Sequence, residues 1–297
     1  MFSRSSWLHL RIPFSYFLLP IFLFSVCVSP NFIERRLFWV FFIVHFLLYP
    51  ASNGYNSYFD KDEKSIGGLK NPPPVNKGLY YLSLSLDLLA IILGFITINL
   101  TFAIMLLAYG LVSKAYSHPG VRIKKYPVSG WIITGLFQGM FSILMCYVGI
   151  NDFSIDNALN EKVLWTGALA TCMLWANYPM TQVYQHEEDA KRGDRTFSLL
   201  LGIRGTFYFV GAVFGLVTVG FVLYFNHFYT VQYSIIFLVA LFPVVAFFGW
   251  WFLKILGDET NADFQNTMRL NFISATCLNI FFLYVFLSST HVLQLFL

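Results

Sequence analysis

Nine apolar stretches separated by short polar links leave this chain few ways to fold. They cover residues 12–29, 37–52, 79–98, 101–116, 131–150, 163–184, 205–225, 233–256 and 270–290. A helix of about 20 mostly apolar residues crosses the hydrocarbon core of a bilayer. The expectation is an all-α integral membrane protein, a nine-transmembrane-helix bundle forming one domain over residues 1–297. The second stretch is expected to run on as helix to residue 58 and the sixth to residue 189, each through a polar motif. Only 11% of the residues are charged, against roughly 25% in soluble domains, which excludes a water-exposed globule.

The first stretch imitates a secretory signal, with Arg4 and Arg11 ahead of an apolar run. It lacks a small-x-small cleavage site and is followed by further spans, so it is expected to remain as the first helix. Pro13 and Pro20 are tolerable there because neighbouring helices can satisfy the freed backbone groups. The four cysteines, Cys27, Cys146, Cys172 and Cys277, sit singly in apolar runs. They offer no paired spacing for zinc or a disulfide framework.

Basic residues set the orientation. Of the 19 lysines and arginines, all but Arg35, Arg36 and Lys162 fall on the side of the N-terminus. By the positive-inside rule that side is cytoplasmic. The N-terminus and both polar motifs are then cytoplasmic and the C-terminus lies opposite; in a prokaryote the membrane is the inner cell membrane.

The two polar motifs carry the chemistry. The first, NGYNSYFDKDEK over 53–64, follows the second span; the second, QVYQHEEDAKRGDRT over 182–196, follows the sixth. Read as helical continuations, they place Asn53, Asn56 or Ser57, and Asp60 on one face, and Gln182, Gln185 and Asp189 on another, with Glu188 adjacent. Magnesium takes hard oxygen ligands, usually one or two carboxylates together with phosphate oxygens and water. Amides and carboxylates one turn apart suit it, and the natural occupant is a pair of magnesium ions holding a diphosphate. A plain helix-terminating loop with solvated charges also accounts for either motif alone. His186 reads as a polar neighbour, since magnesium disfavours imidazole. Between the motifs lies a basic segment containing Lys114, Tyr116, Arg122, Lys124 and Lys125. Its cations would neutralise phosphate charge, although positive-inside composition explains them equally well.

Three signatures taken together resemble the UbiA superfamily of intramembrane prenyltransferases. They are Asn56-x-x-x-Asp60 after the second span, an acidic run closing in Gly193-Asp194-Arg195-Thr196 after the sixth, and Tyr116-Ser117-x-Pro119-x-x-Arg122-x-Lys124 after the fourth. The last is most similar to the chlorophyll-synthase-like branch. The resemblance covers essentially the whole chain and implies the nine-helix fold. It implies metal-binding half-sites at Asn56 and Asp60 and at Gln185, Glu188 and Asp189, with Asp60, Asp189 and Tyr116 catalytic. It also implies substrate binding by Asn56, Arg122, Lys124 and Asp194, with Lys70 and Arg11 as further basic contacts. Two positions depart from the family pattern: Lys64 and Gln185 stand where an aspartate is usual. Asp62, Glu63, Glu187 and Glu188 are near enough to compensate, and Lys64 is expected to contact phosphate or to pair with Asp60.

The activity so implied is magnesium-dependent transfer of a prenyl group from an allylic polyprenyl diphosphate to an aromatic or other lipophilic acceptor, with release of diphosphate. Tyr55, Tyr58 and Phe59 are candidates for stabilising a cation, or for anchoring at the membrane interface. The partners are the diphosphate donor, the acceptor and membrane lipid, with no nucleic acid. Lys64 and Gln185 also suggest a catalytically altered scaffold or lipid-binding subunit. A transporter finds less support: Asp87 is the clearest of few intramembrane charges, and no repeat with interrupted helices is evident.

Overall fold

The computed structural model describes residues 3–290, and the expectations for residues 1–2 and for the C-terminal end, 291–297, lie outside the described residues. Apart from one isolated bridge between Ile66 and Leu69, the described chain is helical. Six helices come before the second motif: α1 Arg4–Val28, α2 Glu34–Asp60, α3 Lys77–Thr97, α4 Leu100–Ser117, α5 Pro127–Asn151 and α6 Glu161–Asn177. A short α7, His186–Arg192, carries that motif, and α8 Phe197–Phe228, α9 Val231–Gly257 and α10 Phe264–Ser289 complete the bundle. Eight of these are long and apolar enough to cross a membrane. α6, at the place of the expected sixth span, is shorter, with 17 helical residues and a 3-10 turn, Tyr178–Thr181, at its end. Sequential spans pack side by side, and α1 lies against both α5 and α10. Large apolar side chains such as Leu216, Phe242 and Leu253 remain exposed on the outer faces of α8 and α9, as lipid-facing positions do.

The helices depart from regularity near two prolines and at one close contact between helices. Pro50 cannot donate, and just before it α2 widens into a π-turn, Ile43–Leu48, in which the Tyr49 N–H reaches back to the Val44 carbonyl. A second π-turn, Phe137–Phe141, interrupts α5, and its Met140 N–H donates to Thr171 Oγ1 of α6 at 2.8 Å. That contact needs near-touching backbones: a Cβ on Gly139 would fall 2.5 Å from the Thr171 Cα. Small residues permit such approach between membrane helices.

Pro179 corrects the expected continuous sixth helix. Without an N–H it leaves the Trp175 carbonyl unpartnered, and the Trp131 indole donates there instead at 2.8 Å. The α-helix stops at Asn177, and a new helix starts only at His186. Gln182 and Gln185 therefore precede α7 instead of sharing a helix face with Asp189. By contrast, α2 does continue through its motif, to Asp60.

Asp87, on α3, pairs with Lys114 of α4, and the Lys114 ammonium lies 5.1 Å from the Tyr55 ring centroid. Both side chains are largely buried, so each ion needs the other. Asp87→Ala strands the lysine and should cost about 3–5 kcal/mol of stability, whereas the double change Asp87→Leu, Lys114→Met should recover most of it. Thermal unfolding of the two variants in one detergent checks this.

Candidate active site

The ends of α1, α2, α4, α5 and α10 and the α6–α7 connection surround a cavity of about 240 Å³. They all belong to the side to which the basic residues were assigned. Its polar part is lined by Asn56, Asp60, Asp62, Lys124, Asp189 and Arg192, and its apolar part by Tyr109, Val112, Ile133 and Phe137.

The first half-site is built by the end of α2. Lys61 adopts a left-handed conformation (φ 50°) and caps the helix, its N–H donating to the Ser57 carbonyl at 3.0 Å. That reversal turns Asp62 back toward the cavity. Asp60 pairs with Lys124, and Arg122 stands 3.5 Å from the same carboxylate oxygen. The Asn56 side-chain oxygen, Oδ1, accepts from the Ser117 hydroxyl at 2.8 Å and the Lys124 ammonium at 3.3 Å.

The second half-site is built by α7. Gly193 ends it at φ 75°, and the Asp194 N–H donates back to the Asp189 carbonyl at 2.9 Å, a glycine-based helix stop. The stop directs Asp194 at Arg122, which grips it with two hydrogen bonds of 2.7 and 2.8 Å. Arg192 Nη2 donates to Asp189 at 2.6 Å, Nη1 pairs with Asp62, and Nε reaches Asp194 at 3.4 Å. One guanidinium thus joins both motifs. Burial pushes the Asp189 carboxyl up to about 7, with Asp194 and Asp60 adding to the rise and the Thr196 hydroxyl and Lys124 opposing it. Burial acts on Asp194 too, but the Arg122 hydrogen bond and the Lys124, Arg122 and Arg192 charges outweigh it and hold that carboxyl low.

Several expected site residues converge: Arg11, Asn56, Asp60, Tyr116, Lys124, Gln185 and Asp189 all line the cavity. Arg122 and Asp194 form the ion pair behind them. Lys70 does not take part; it is exposed, and its carbonyl accepts from the Ser65 hydroxyl. Glu188 also stays out of the cavity, with Oε1 accepting from the Lys64 N–H at 2.9 Å. Lys64 does not pair with Asp60, because Lys124 already occupies that carboxylate; it pairs with Glu187 at 2.5 Å. Tyr55, Tyr58 and Phe59 pack with Tyr80 outside the cavity, so the aromatic walls are Phe14, Tyr109, Tyr116, Phe137, Tyr178 and Tyr184 instead. The Tyr116 and Tyr178 hydroxyls are hydrogen-bonded to each other. Sequence reasoning missed Arg192, which counted only as loop charge. Its spacing of three residues from Asp189 on a helix was the available signal.

Hard oxygen donors facing a cavity fit magnesium. Among the described residues no three acidic, histidine or cysteine side chains form a closed cage, and a cation bound partly by substrate phosphate needs none. Five carboxylates (Asp60, Asp62, Glu188, Asp189, Asp194) face three cations (Arg122, Lys124, Arg192), leaving negative charge for a divalent ion to offset.

This bundle with an acidic site at its helix ends defines an intramembrane enzyme class, and the comparisons name it. The chain belongs to the UbiA prenyltransferase family, whose model matches residues 17–273. It is a multi-pass integral membrane protein. Similar solved structures include a UbiA homologue from Archaeoglobus fulgidus bound to GPP and Mg2+, with TM-score 0.64, 15% identity, and 95% of this chain and 99% of that one covered. The same homologue bound to DMAPP and Mg2+ gives TM-score 0.66 at the same identity and coverage. A digeranylgeranylglyceryl phosphate synthase structure gives TM-score 0.58 and 18% identity, covering 97% of this chain and 98% of that one. No curated protein matches the sequence. At these identities the structural likeness establishes the fold.

A metal ion or Arg192 each requires Asp189 in its ionised form. Diphosphate binding with a divalent cation should therefore strengthen from about pH 6 to about pH 8, and more steeply than in Asp189→Asn. Calorimetric titration of both proteins with inorganic diphosphate checks this, because the ligand's own titration is common to the two profiles.

Proposed function

We propose that the protein transfers a prenyl group from an allylic polyprenyl diphosphate to an aromatic or other lipophilic acceptor, releasing diphosphate. The observation that carries this reading is the meeting of both acidic motifs with Lys124 and Arg192 at one end of a cavity whose other end is aromatic and apolar. The family and the diphosphate-bound relatives support it. Asn56, Asp60, Gln185 and Asp189 are the oxygen donors that would hold magnesium, which when bound offsets the phosphate charge and favours its departure.

Lys124 is a compact ammonium on a flexible stem, able to move from Asp60 to a phosphate oxygen, and Arg192 offers further N–H groups to the same anion. Heterolysis of the allylic C–O bond sends its electron pair to the diphosphate and leaves an allylic carbocation. The rings of Tyr109, Tyr116, Phe137 and Tyr178 wall that cation in, and their faces stabilise positive charge while excluding water. The acceptor then supplies an electron pair to the allylic carbon and loses a proton. Arg11 lines the cavity beside Phe14 and holds the connection after α2 through the Gly67 carbonyl at 3.2 Å. It is placed to meet a polar group on the acceptor. The basic bias of this end assigns it, with the N-terminus, to the cytoplasm.

Purified protein given labelled geranylgeranyl diphosphate and a panel of aromatic acceptors should release diphosphate only with a divalent cation. Asp60→Ala and Asp189→Ala should each lower the rate by about 10²–10³-fold, as loss of a key electrostatic contact does. Release that ignores metal would overturn the magnesium reading, and no release or donor binding, with both variants indistinguishable from the parent, would favour the scaffold reading.

A further inference from the structure

Arg192 stands where the two halves of the acidic site meet. Its Nη1 pairs with Asp62 of the first motif, and its Nη2 and Nε donate to Asp189 and Asp194 of the second. The guanidinium lines the cavity and is mostly buried. A guanidinium carries five donors in a rigid plane and keeps its charge at every accessible pH. Three N–H groups donate to carboxylates and two make no hydrogen bond, although Glu188 Oε2 lies 3.9 Å from Nη1. Hydrogen bonds to three carboxylates, with Glu188 3.9 Å away, hold the fork in place, whereas among the described residues Lys124 hydrogen-bonds to Asp60 and Asn56 alone.

The two departures from the family's acidic pattern fit the same arrangement. Gln185 Nε2 donates to the Ser65 carbonyl at 3.3 Å, and Lys64 pairs with Glu187. Both tie the connection after α2 to the region of α7, so neither position supplies a carboxylate ligand. Asp62 and Asp189 share Arg192. Asn56 and Asp60 remain as a donor pair whose resident cation, Lys124, is a mobile one, and magnesium needs little more than one or two protein oxygens beside phosphate and water.

We propose that this protein binds its diphosphate with a single divalent cation, at Asn56 and Asp60, and that the Arg192 guanidinium takes the second positive position. The inference rests on the magnesium-dependent reading above and narrows it. Arg192 contacts phosphate directly while bridging Asp62 and Asp189, so one charge in the site is part of the chain.

Equilibrium dialysis of the full-length protein in detergent, against radiolabelled Mn2+ and inorganic diphosphate, counts both ligands above the protein-free chamber. The expected result is one Mn2+ per bound diphosphate. In Arg192→Gln, where Asp62 and Asp189 are freed, the ratio should rise to two. Two Mn2+ per diphosphate in the parent, or a ratio of one that persists in Arg192→Gln, overturns the inference and leaves the proposed activity standing. Diphosphate bound with no Mn2+ overturns the magnesium reading as well, and so does a protein that binds neither ligand. If Arg192→Gln does not fold, the parent's ratio decides alone.

Discussion

Five carboxylates gathered at one end of an apolar bundle must each find positive charge, and much of the local geometry follows from that requirement. Removing one partner from a buried ion pair typically costs about 3–5 kcal/mol, because the other ion stays behind uncompensated. The left-handed turns at Lys61, Arg122 and Gly193 all lie in connections that supply the cluster. Lys61 turns Asp62 toward Arg192, Gly193 delivers Asp194 to Arg122, and the turn at Arg122 lets Lys124 reach Asp60. Non-glycine residues seldom occupy this conformation. Here it coincides with the chain bends that bring opposite charges together.

A second constraint, the lack of water inside a bilayer, explains where the helices break. Two of the irregularities coincide with a donor or acceptor provided by another residue: the Trp131 indole for the Trp175 carbonyl, and the Thr171 hydroxyl for the Met140 N–H. Breaks of this kind are tolerated in membrane helices when the freed backbone groups are satisfied by neighbours. The break at Pro179 also has a consequence for the site. It lets α7 leave the axis of α6, and this short helix then carries Asp189 and Arg192 to the end of α2.

The same reasoning separates the residues that act from those that only look similar in sequence. Tyr55, Tyr58 and Phe59 lie beside the first motif, yet they pack with Tyr80. A helix presents one face to the cavity, and on α2 that face carries Ser52, Asn53, Asn56, Ser57 and Asp60. The aromatic wall comes instead from α1, α4, α5 and the connection after α6. Lys64 and Lys70, basic residues close to the acids in sequence, lie at the surface, where Lys64 pairs with Glu187.

Length, apolar runs and the bias of lysine and arginine were enough to read the helical class, the number of spans to within one and the end of the bundle at which the two polar motifs lie. These depend on properties summed over whole segments, which no single contact overturns. The pairing of Asn56 with Asp60 was also legible, because both lie on one uninterrupted helix whose period is fixed. What the tertiary structure alone decided was which charge meets which: Lys124 with Asp60, Lys64 with Glu187, and Arg192 between the two motifs. Ion pairing depends on distances of a few ångströms between side chains from different helices. Those distances follow from bends at Pro179, Lys61 and Gly193 whose direction no local pattern encodes.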